Sequence, residues 1–481
     1  MKTLLKLVIV CGLSGQMLAQ TTGWNNGGAN PYRNGHVDVA GPVTDSVLWE
    51  VSRQGVIGFP MLIEGNRMVT MDFLGMQYAP VTCYDLDSGE LLWSVDVSDA
   101  TGRSLPVGFR DGRVFVVGLT ESGSDLLVAL DAADGTVLWT ASETVNPYIT
   151  ETGVFDAFGD FYITGSNLTL LKLNPETGDL IWSTPVVPMA SGSAEMAINP
   201  VLHRGYTLEQ NGGISYVWAI DLATGEKLFS AVVPDLQPGG NVPQTALHVG
   251  FNGAVYVQLT QDNIAALTDT GSDFTLDWQT TIEGNSAFSL MCVGADGSVY
   301  APSGGKLIRM HAETGAVLAT SPTITQGGFF SPRISASGNG MVYATNGENG
   351  VFAFDEQLNM VWSDDLPNSN TSGANLAPSG ALAVCGANTV RVYAPVAQTG
   401  LEEGAAAAWA AFPNPATSFV QITAPKTLSG RSYSLFDIRG ILVDRGSFGE
   451  QSPVLDVSEW PAGVYVLAVD GLGAGLRIVK E

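Results

Sequence analysis

A ten-residue pattern returns along most of this chain, and no other feature limits its fold as tightly. Tyr84-Asp85-Leu86-Asp87-Ser88-Gly89-Glu90-Leu91-Leu92-Trp93 is followed by Leu130-Asp131-Ala132-Ala133-Asp134-Gly135-Thr136-Val137-Leu138-Trp139. The pattern recurs with Asn174, Gly178 and Trp182, then with Asp221, Gly225 and Phe229. It loosens at Thr270-Gly271 with Trp278, returns at Thr314-Gly315 with Ala319, shortens at Asp355 with Trp362, and keeps only its end at Trp49. The ends at 49, 93, 139, 182, 229, 278, 319 and 362 fall 41 to 49 residues apart, the length of a four-stranded antiparallel unit. Between them lies a second element, a polar Gly turn before an apolar pair, as in Asp111-Gly112-Arg113-Val114-Phe115 and Asp296-Gly297-Ser298-Val299-Tyr300.

Eight such ends predict an all-β fold, an eight-bladed β-propeller, with seven blades as the alternative if Ala319 or Trp49 is not a repeat end. The residue types follow from the job. An Asp at the strand end (Asp85, Asp131, Asp221) accepts hydrogen bonds from turn N–H groups, and Gly (Gly89, Gly135, Gly178, Gly225, Gly315) takes the positive-φ place in the turn. A large ring at the end of each unit (Trp49, Trp93, Trp139, Trp182, Phe229, Trp278, Trp362) is expected to wedge between neighbouring blades. Ala319 is expected to leave its joint weaker. Because Trp49 precedes any complete unit, its strand is expected to pair into the last blade and close the ring, removing two exposed edges.

Composition agrees with many short turns: 57 Gly and 24 Pro in 481 residues, with 45% hydrophobic and 14% charged. The formal charge is −26, which repels phosphate backbones and excludes nucleic acid as a partner. Residues 1–19 read as a signal peptide, with basic Lys2 and Lys6, an apolar run over 7–13 and a small-residue cleavage point at Ala19-Gln20. No other stretch is long and apolar enough to be a transmembrane segment. Beyond the leader stand Cys83, Cys292 and Cys385, too few and too far apart for a disulfide framework or a metal site.

The Asp-x-x-(Thr/Ser)-Gly-x-x-x-Trp units, with Trp24-Asn25-Asn26-Gly27-Gly28-Ala29-Asn30-Pro31-Tyr32-Arg33-Asn34-Gly35 ahead of them, resemble the pyrroloquinoline-quinone-like (PQQ-like) β-propeller repeat over roughly residues 24–396. The resemblance implies the fold, not one function, because that family includes quinoprotein dehydrogenases, assembly-factor scaffolds and non-catalytic binding proteins. Its quinone-binding members use adjacent cysteines and a calcium held by acidic and Asn side chains. No two Cys are neighbours here, so no cofactor is predicted, PQQ and calcium being the groups the resemblance would bring.

After the propeller, expected over 20–396, residues 397–410 form an Ala/Gly/Glu linker, and 411–481 carry alternating strand patterns of a small β-sandwich. This tail resembles the C-terminal sorting domain of the type IX secretion system of Bacteroidota. Pro413, Asn414 and Pro415 open it, Gly440 marks a turn, Gly463 and Tyr465 follow Pro461-Ala462, and Lys480 lies in the terminal Arg477-Ile478-Val479-Lys480. Trp460 stands where Leu is usual. The resemblance implies the type IX secretion machinery as a partner, and delivery through the periplasm to the cell surface or the medium.

No catalytic constellation is found. His36, His203, His248 and His311 have no paired spacing; Asp85-x-Asp87-x-Gly89 lacks the later acid of a calcium loop; Gly304-Gly305-Lys306 is not followed by Ser or Thr. The reading is therefore a secreted or surface-bound non-catalytic binding or scaffold module, holding a glycan, a peptide or an envelope protein on its loops. The alternative is a secreted enzyme with its site in the propeller funnel, either a quinone-dependent dehydrogenase or a polysaccharide-acting enzyme. Asn368-Ser369-Asn370-Thr371-Ser372-Gly373-Ala374-Asn375 and Thr325-Gln326-Gly327-Gly328-Phe329-Phe330 are loops suited to binding in either case.

Overall fold

The computed structural model describes residues 23–52, 56–57, 61–74, 77–98, 104–119, 125–145, 153–187, 196–211, 214–232, 247–260, 263–283, 291–325, 334–346, 350–367, 373–386, 388–396, 410–412, 416–423, 432–437, 442–448, 454–458, 460–469 and 475–480. The expected leader, nearly all of the expected linker, and residues 326–330 and 368–372 of the two loops named above lie outside them. All named elements are strands, and no helix among the described residues is long and apolar enough to cross a membrane. Contacts divide the chain into a unit spanning Thr21–Ala397 and one containing Gln398–Glu481.

The larger unit repeats one antiparallel motif whose turns are written in the sequence. Ser104–Arg110, Arg113–Leu119, Asp125–Asp131 and Val137–Val145 pair in that order. Arg110 faces Arg113 across a two-residue turn in which Asp111 and Gly112 have φ of 52° and 73°, the paired positive angles of a type I′ hairpin. Asp131 closes the third-to-fourth connection: its carbonyl accepts from Gly135 N (2.8 Å), its N–H donates to Thr136 O (2.8 Å), and its Oδ1 accepts from Ala133 N (2.7 Å). Asp221 binds the 223–224 amides in the same way.

The same order recurs in the first group, from Leu62–Glu64 through Arg67–Leu74 and Gln77–Asp85 to Leu91–Val95, and again from Met196–Asn199 to Lys227–Val232, from Leu247–Val249 to Phe274–Thr281, from Cys292–Val293 to Val317–Thr320, and from Ser335–Ser337 to Met360–Asp365. Val145 also pairs with Gly165, joining the 104–145 and 154–185 groups into one eight-stranded sheet. The last group is made from both ends of the unit. Ala374–Leu376, Leu382–Cys385 and Thr389–Tyr393 receive Val47–Ser52 as their fourth strand, with Trp49 opposite Val392. Arg391 ties this seam together, pairing with Glu50 (2.5 Å) and with Asp364 of the preceding group (2.6 Å).

First, second and third strands are largely buried, whereas fourth strands expose the apolar pair before the wedge residue, such as Val137 and Leu138. The three Cys are buried thiols outside any disulfide, the case of a thiol acting as a small hydrophobe.

In the smaller unit, Ala410–Phe412, Phe419–Thr423 and Val454–Asp456 form one sheet. Leu442–Ser447, Ser432–Asp437, Gly463–Val469 and Gly475–Lys480 form another. Val420, Ile422 and Leu455 from the first share a single buried cluster with Leu435, Leu467 and Ile478 from the second.

Candidate functional site

Within its own group each first strand is paired on one side only, which leaves an edge of N–H and C=O groups for other partners. Residues 23–39 lie along these edges. Gly23 and Trp24 pair with Glu64 and Ile63. The carbonyl of Asn25 then accepts from Phe109 N (2.9 Å), Pro31 from Ile198 N (2.8 Å), Tyr32 from Val249 N (2.9 Å), Asn34 from Val293 N (2.8 Å), Gly35 from Ala336 N (2.9 Å) and Val39 from Gly338 N (2.8 Å). So short a segment can reach the first strands of so many sheets only if those strands converge around it. The free edges therefore line a common axis, and the chain's own N-terminal segment fills it, visiting the groups in their sequence order.

Side chains add register. Asn25 Nδ2 donates to Phe109 O (2.6 Å) and Asn34 Nδ2 to Val249 O (3.3 Å). His36 Nδ1 meets Val293 O at 3.1 Å, and His248 Nδ1 meets Arg33 O at 2.5 Å. Within the segment, Asn26 Oδ1 accepts from Gly28 N and Asn34 Oδ1 from both Asn30 Nδ2 and His36 N. Trp24, Ala29 and Val37 are buried in a cluster shared by Ile63 and Met68 of the first group and Leu376 and Leu382 of the last. Tyr32 and His36 pack edge-on against Phe251. Burial lowers the His36 pKa, against the pull of Asp38, and pushes the Tyr32 phenol up to about 12.

Gly35 shows how close the fit is. Its φ is 62°, and an added Cβ would stand 2.7 Å from Ile334 O and 2.9 Å from Cys292 Cβ. Glycine is the residue that supplies such an angle without strain.

The wedge residues lie at the joints between groups. Trp49, Trp93, Trp139, Trp182 and Trp278 donate through Nε1 to the carbonyls of Leu86, Ala132, Pro175, Leu222 and Ala312, each the second residue of the next group's turn. The glycine of that same turn lies against the indole: a Cβ on Gly89, Gly135, Gly178, Gly225 or Gly315 would come within 2.5–3.0 Å of ring carbons. The glycine thus serves both the left-handed backbone and the ring that covers it. Trp362 faces the seam, where no such turn exists, and donates instead to Pro42 O (3.2 Å), which also accepts from Tyr343 Oη (2.9 Å).

Two joints lack Trp and are built differently. At Phe229 the ring packs edge-on against Phe274 (5.1 Å), Arg204 lies over it (5.2 Å) while pairing with Asp269 (2.5 Å), and a Cβ on Gly271 would meet nothing within 4 Å. At Ala319, where a weaker joint is expected, the neighbouring turn fills the place of the ring. The facing turn carries Leu358 with φ of 61° where other turns carry glycine, and Leu358 is buried in the cluster against which Ala319 packs. Tyr300 Oη donates to Glu356 O (3.1 Å), the carbonyl in the place an indole serves elsewhere. Small-for-large on one side is matched by large-for-small on the other.

Of the sorting residues, Pro413, Asn414, Pro415 and Gly440 lie outside the described residues. Gly463 starts its strand opposite Lys480, and Lys480 also bridges to Ala416. Tyr465 donates to Pro461 O (2.7 Å) and packs on Trp460 (4.8 Å).

Among the described residues no group of three or more His, Cys, Asp or Glu side chains could hold a metal ion. His203 stacks on Phe158, and His311 accepts from Glu313 N in the turn where other units carry Asp. Asp85 Oδ1 is taken up by the Asp87 and Ser88 amides and the Ser88 hydroxyl, and the hydrogen bonds from Ser88 hold its pKa below the usual value. Burial raises the thiol of Cys83 to about 12 and that of Cys292 beyond it, which keeps both protonated.

Residues 33–249 match the family described as "Outer membrane protein assembly factor BamB", and residues 410–475 match "Secretion system C-terminal sorting domain". The fold is similar to BamB from Moraxella catarrhalis, with a TM-score of 0.52, 13% identity, and coverage of 72% of this chain and 98% of that one. Quinohemoprotein alcohol dehydrogenase from Comamonas testosteroni gives a TM-score of 0.55 at 14% identity over 78% of this chain and 80% of its own. The computationally designed Ika8 protein gives 0.51 at 14% over 73% and 98%. No curated protein matches the sequence. At these identities the likeness concerns the fold alone, a β-propeller.

Proposed function

We propose that this chain, which carries a PQQ-like β-propeller domain and a type IX C-terminal sorting domain, is an exported, non-catalytic binding or scaffold module with a closed axis. The sorting domain indicates type IX export to the cell surface or the medium. On this reading residues 1–19 are the signal peptide, the sheets make an eight-bladed ring over 20–396, 397–410 are the linker, and 411–481 are a small sandwich. Support for the ring comes from the repeated four-strand order and from Val47–Ser52 completing the last group. Support for the sandwich comes from the cluster common to both tail sheets.

One observation carries the non-catalytic reading. The axis, where a propeller would seat a cofactor between its first strands, is hydrogen-bonded to the chain's own residues 23–39. The described residues do not fit the quinone either: Cys83, Cys292 and Cys385 lie in three different groups. The ligand is then held on a face of the ring, and the name of the matching family, an outer membrane assembly factor, favours an envelope protein over a glycan. The dehydrogenase likeness leaves a quinone enzyme as the alternative.

Adding PQQ and calcium to the purified protein separates the two. No tight, coloured complex and no dye-linked alcohol oxidation are expected; stoichiometric uptake with dye reduction would overturn the reading.

A further inference from the structure

The geometry points to a peptide-binding site formed by the free inner edges of the propeller sheets, whose ligand is the chain's own residues 23–39. This inference rests on the closed-axis reading and adds that the segment is a ligand, exchangeable as a unit, and not an inseparable part of the sheets. Its contacts are main-chain hydrogen bonds of the kind that recognise peptides at sheet edges: carbonyls of Asn25, Pro31, Tyr32, Asn34 and Gly35 accept from first-strand amides of five different groups, and that of Val39 accepts from Gly338 N in the turn after Ser335–Ser337. Only its two ends form ladder pairs, Gly23–Trp24 with the first group and His36–Val37 with Ala336 and Ser337. The rest follows no ladder.

Specificity comes from few positions. Trp24 is fully buried and its Nε1 has no acceptor among the described residues, so its side chain is held by burial while its backbone pairs with Ile63. Asn25 and Asn34 each donate to a first-strand carbonyl. Gly23, with φ of 109° and a virtual Cβ 2.2 Å from Ile63 O, and Gly35 admit no side chain. The ligand class is therefore a Gly- and Asn-rich peptide, turned at Asn26–Ala29 and Asn30–Arg33 and anchored by one Trp.

The junction with the ring supports separability. Residues 43–46 are exposed between Pro42 and the closing strand Val47–Ser52, so a break there leaves that strand paired with Thr389–Tyr393.

The test uses the full chain with a specific protease site inserted between Thr44 and Asp45. After cleavage the N-terminal fragment is expected to co-elute with the ring, with the amides of Phe109, Ile198, Val249 and Val293 still protected from hydrogen exchange. Excess fluorescent synthetic peptide of residues 21–42 is expected to replace it over hours below the unfolding transition. Peptides carrying Gly35→Val or Asn34→Ala should compete at least tenfold more weakly. Immediate loss of the fragment, or retention without any replacement, would overturn the inference. So would equal competition by the Gly35→Val peptide. PQQ uptake by the uncleaved protein is read separately: it would overturn the closed axis, whereas failed exchange with PQQ still excluded would overturn only the ligand.

Discussion

The joint between Ala319 and Leu358 offers a quantitative test of how these sheets recognise one another. Ala319→Trp alone drives an indole into the volume of buried Leu358, an overpacking that costs about 1–3 kcal/mol. Leu358→Gly alone removes a buried side chain, a loss of about 2–5 kcal/mol. Relief of a left-handed leucine at φ of 61° returns about 1–2 kcal/mol, for a net loss of roughly 0–4 kcal/mol. Together the substitutions rebuild the arrangement at Trp278 and Gly315, ring over glycine, with the second lone pair of Glu356 O, which already accepts from Tyr300 Oη, facing the new indole's donor. The double variant should therefore recover most of the loss, with a coupling of at least ~1.5 kcal/mol. Denaturant melts followed by tryptophan fluorescence and by circular dichroism would measure it. Additive losses would show that ring and turn residue are not read as a pair.

Three further outcomes follow from the same geometry. Gly225→Ala should destabilise by about 2–4 kcal/mol, because a left-handed alanine is strained and its Cβ meets Trp182 at 2.7 Å. Gly271→Ala, with open space around it, should lose only about 1 kcal/mol, and equal losses in thermal melts would remove the indole from the explanation. Because burial lowers the His36 pKa in the folded chain, the unfolded chain binds the proton more readily. The stability linked to this group is complete above pH ~6.5 and is lost as pH falls below it. A His36→Gln variant should flatten that part of the pH–stability curve, and an unchanged curve would count against the assignment. Deleting residues 411–481 should leave the protein in the periplasm by cell fractionation; surface delivery of the truncated chain would refute the sorting role.

The turns and joints were legible because each repeats. Asp-Gly at 111–112 and the Asp131 turn carry their hydrogen-bonding chemistry in the residue types, and a Trp49 without its own turn announced a strand that had to find a partner elsewhere. What could not be read has physical reasons too. The stretch from Trp24 to Gly35 binds mainly through backbone carbonyls, which every residue possesses, so its polar side chains look like an ordinary connection. A hint lay in its glycines and asparagines, residues that tolerate close approach and unusual angles. At Ala319 the missing ring was visible. The compensating Leu358 sits 39 positions later, and its meaning depends on knowing which turn faces which strand. Pro42 as the acceptor for Trp362 had no signal at all, since it is the seam's substitute for a turn.

That seam also sets an order of events. Glu50 meets Arg391 across 341 positions of chain, so the last sheet cannot be completed until nearly the whole propeller has been made. The entropy of closing so long a loop grows only with the logarithm of its length, so the delay is one of time more than of free energy. Until residue 393 arrives, Val47–Ser52 lacks its ladder partner, and its apolar Val47 and Leu48, exposed even in the finished fold, sit on a template for mispairing between chains. A chain stalled or cut before that point is thus an open arc with two sticky ends, and stability should appear abruptly with the final sheet.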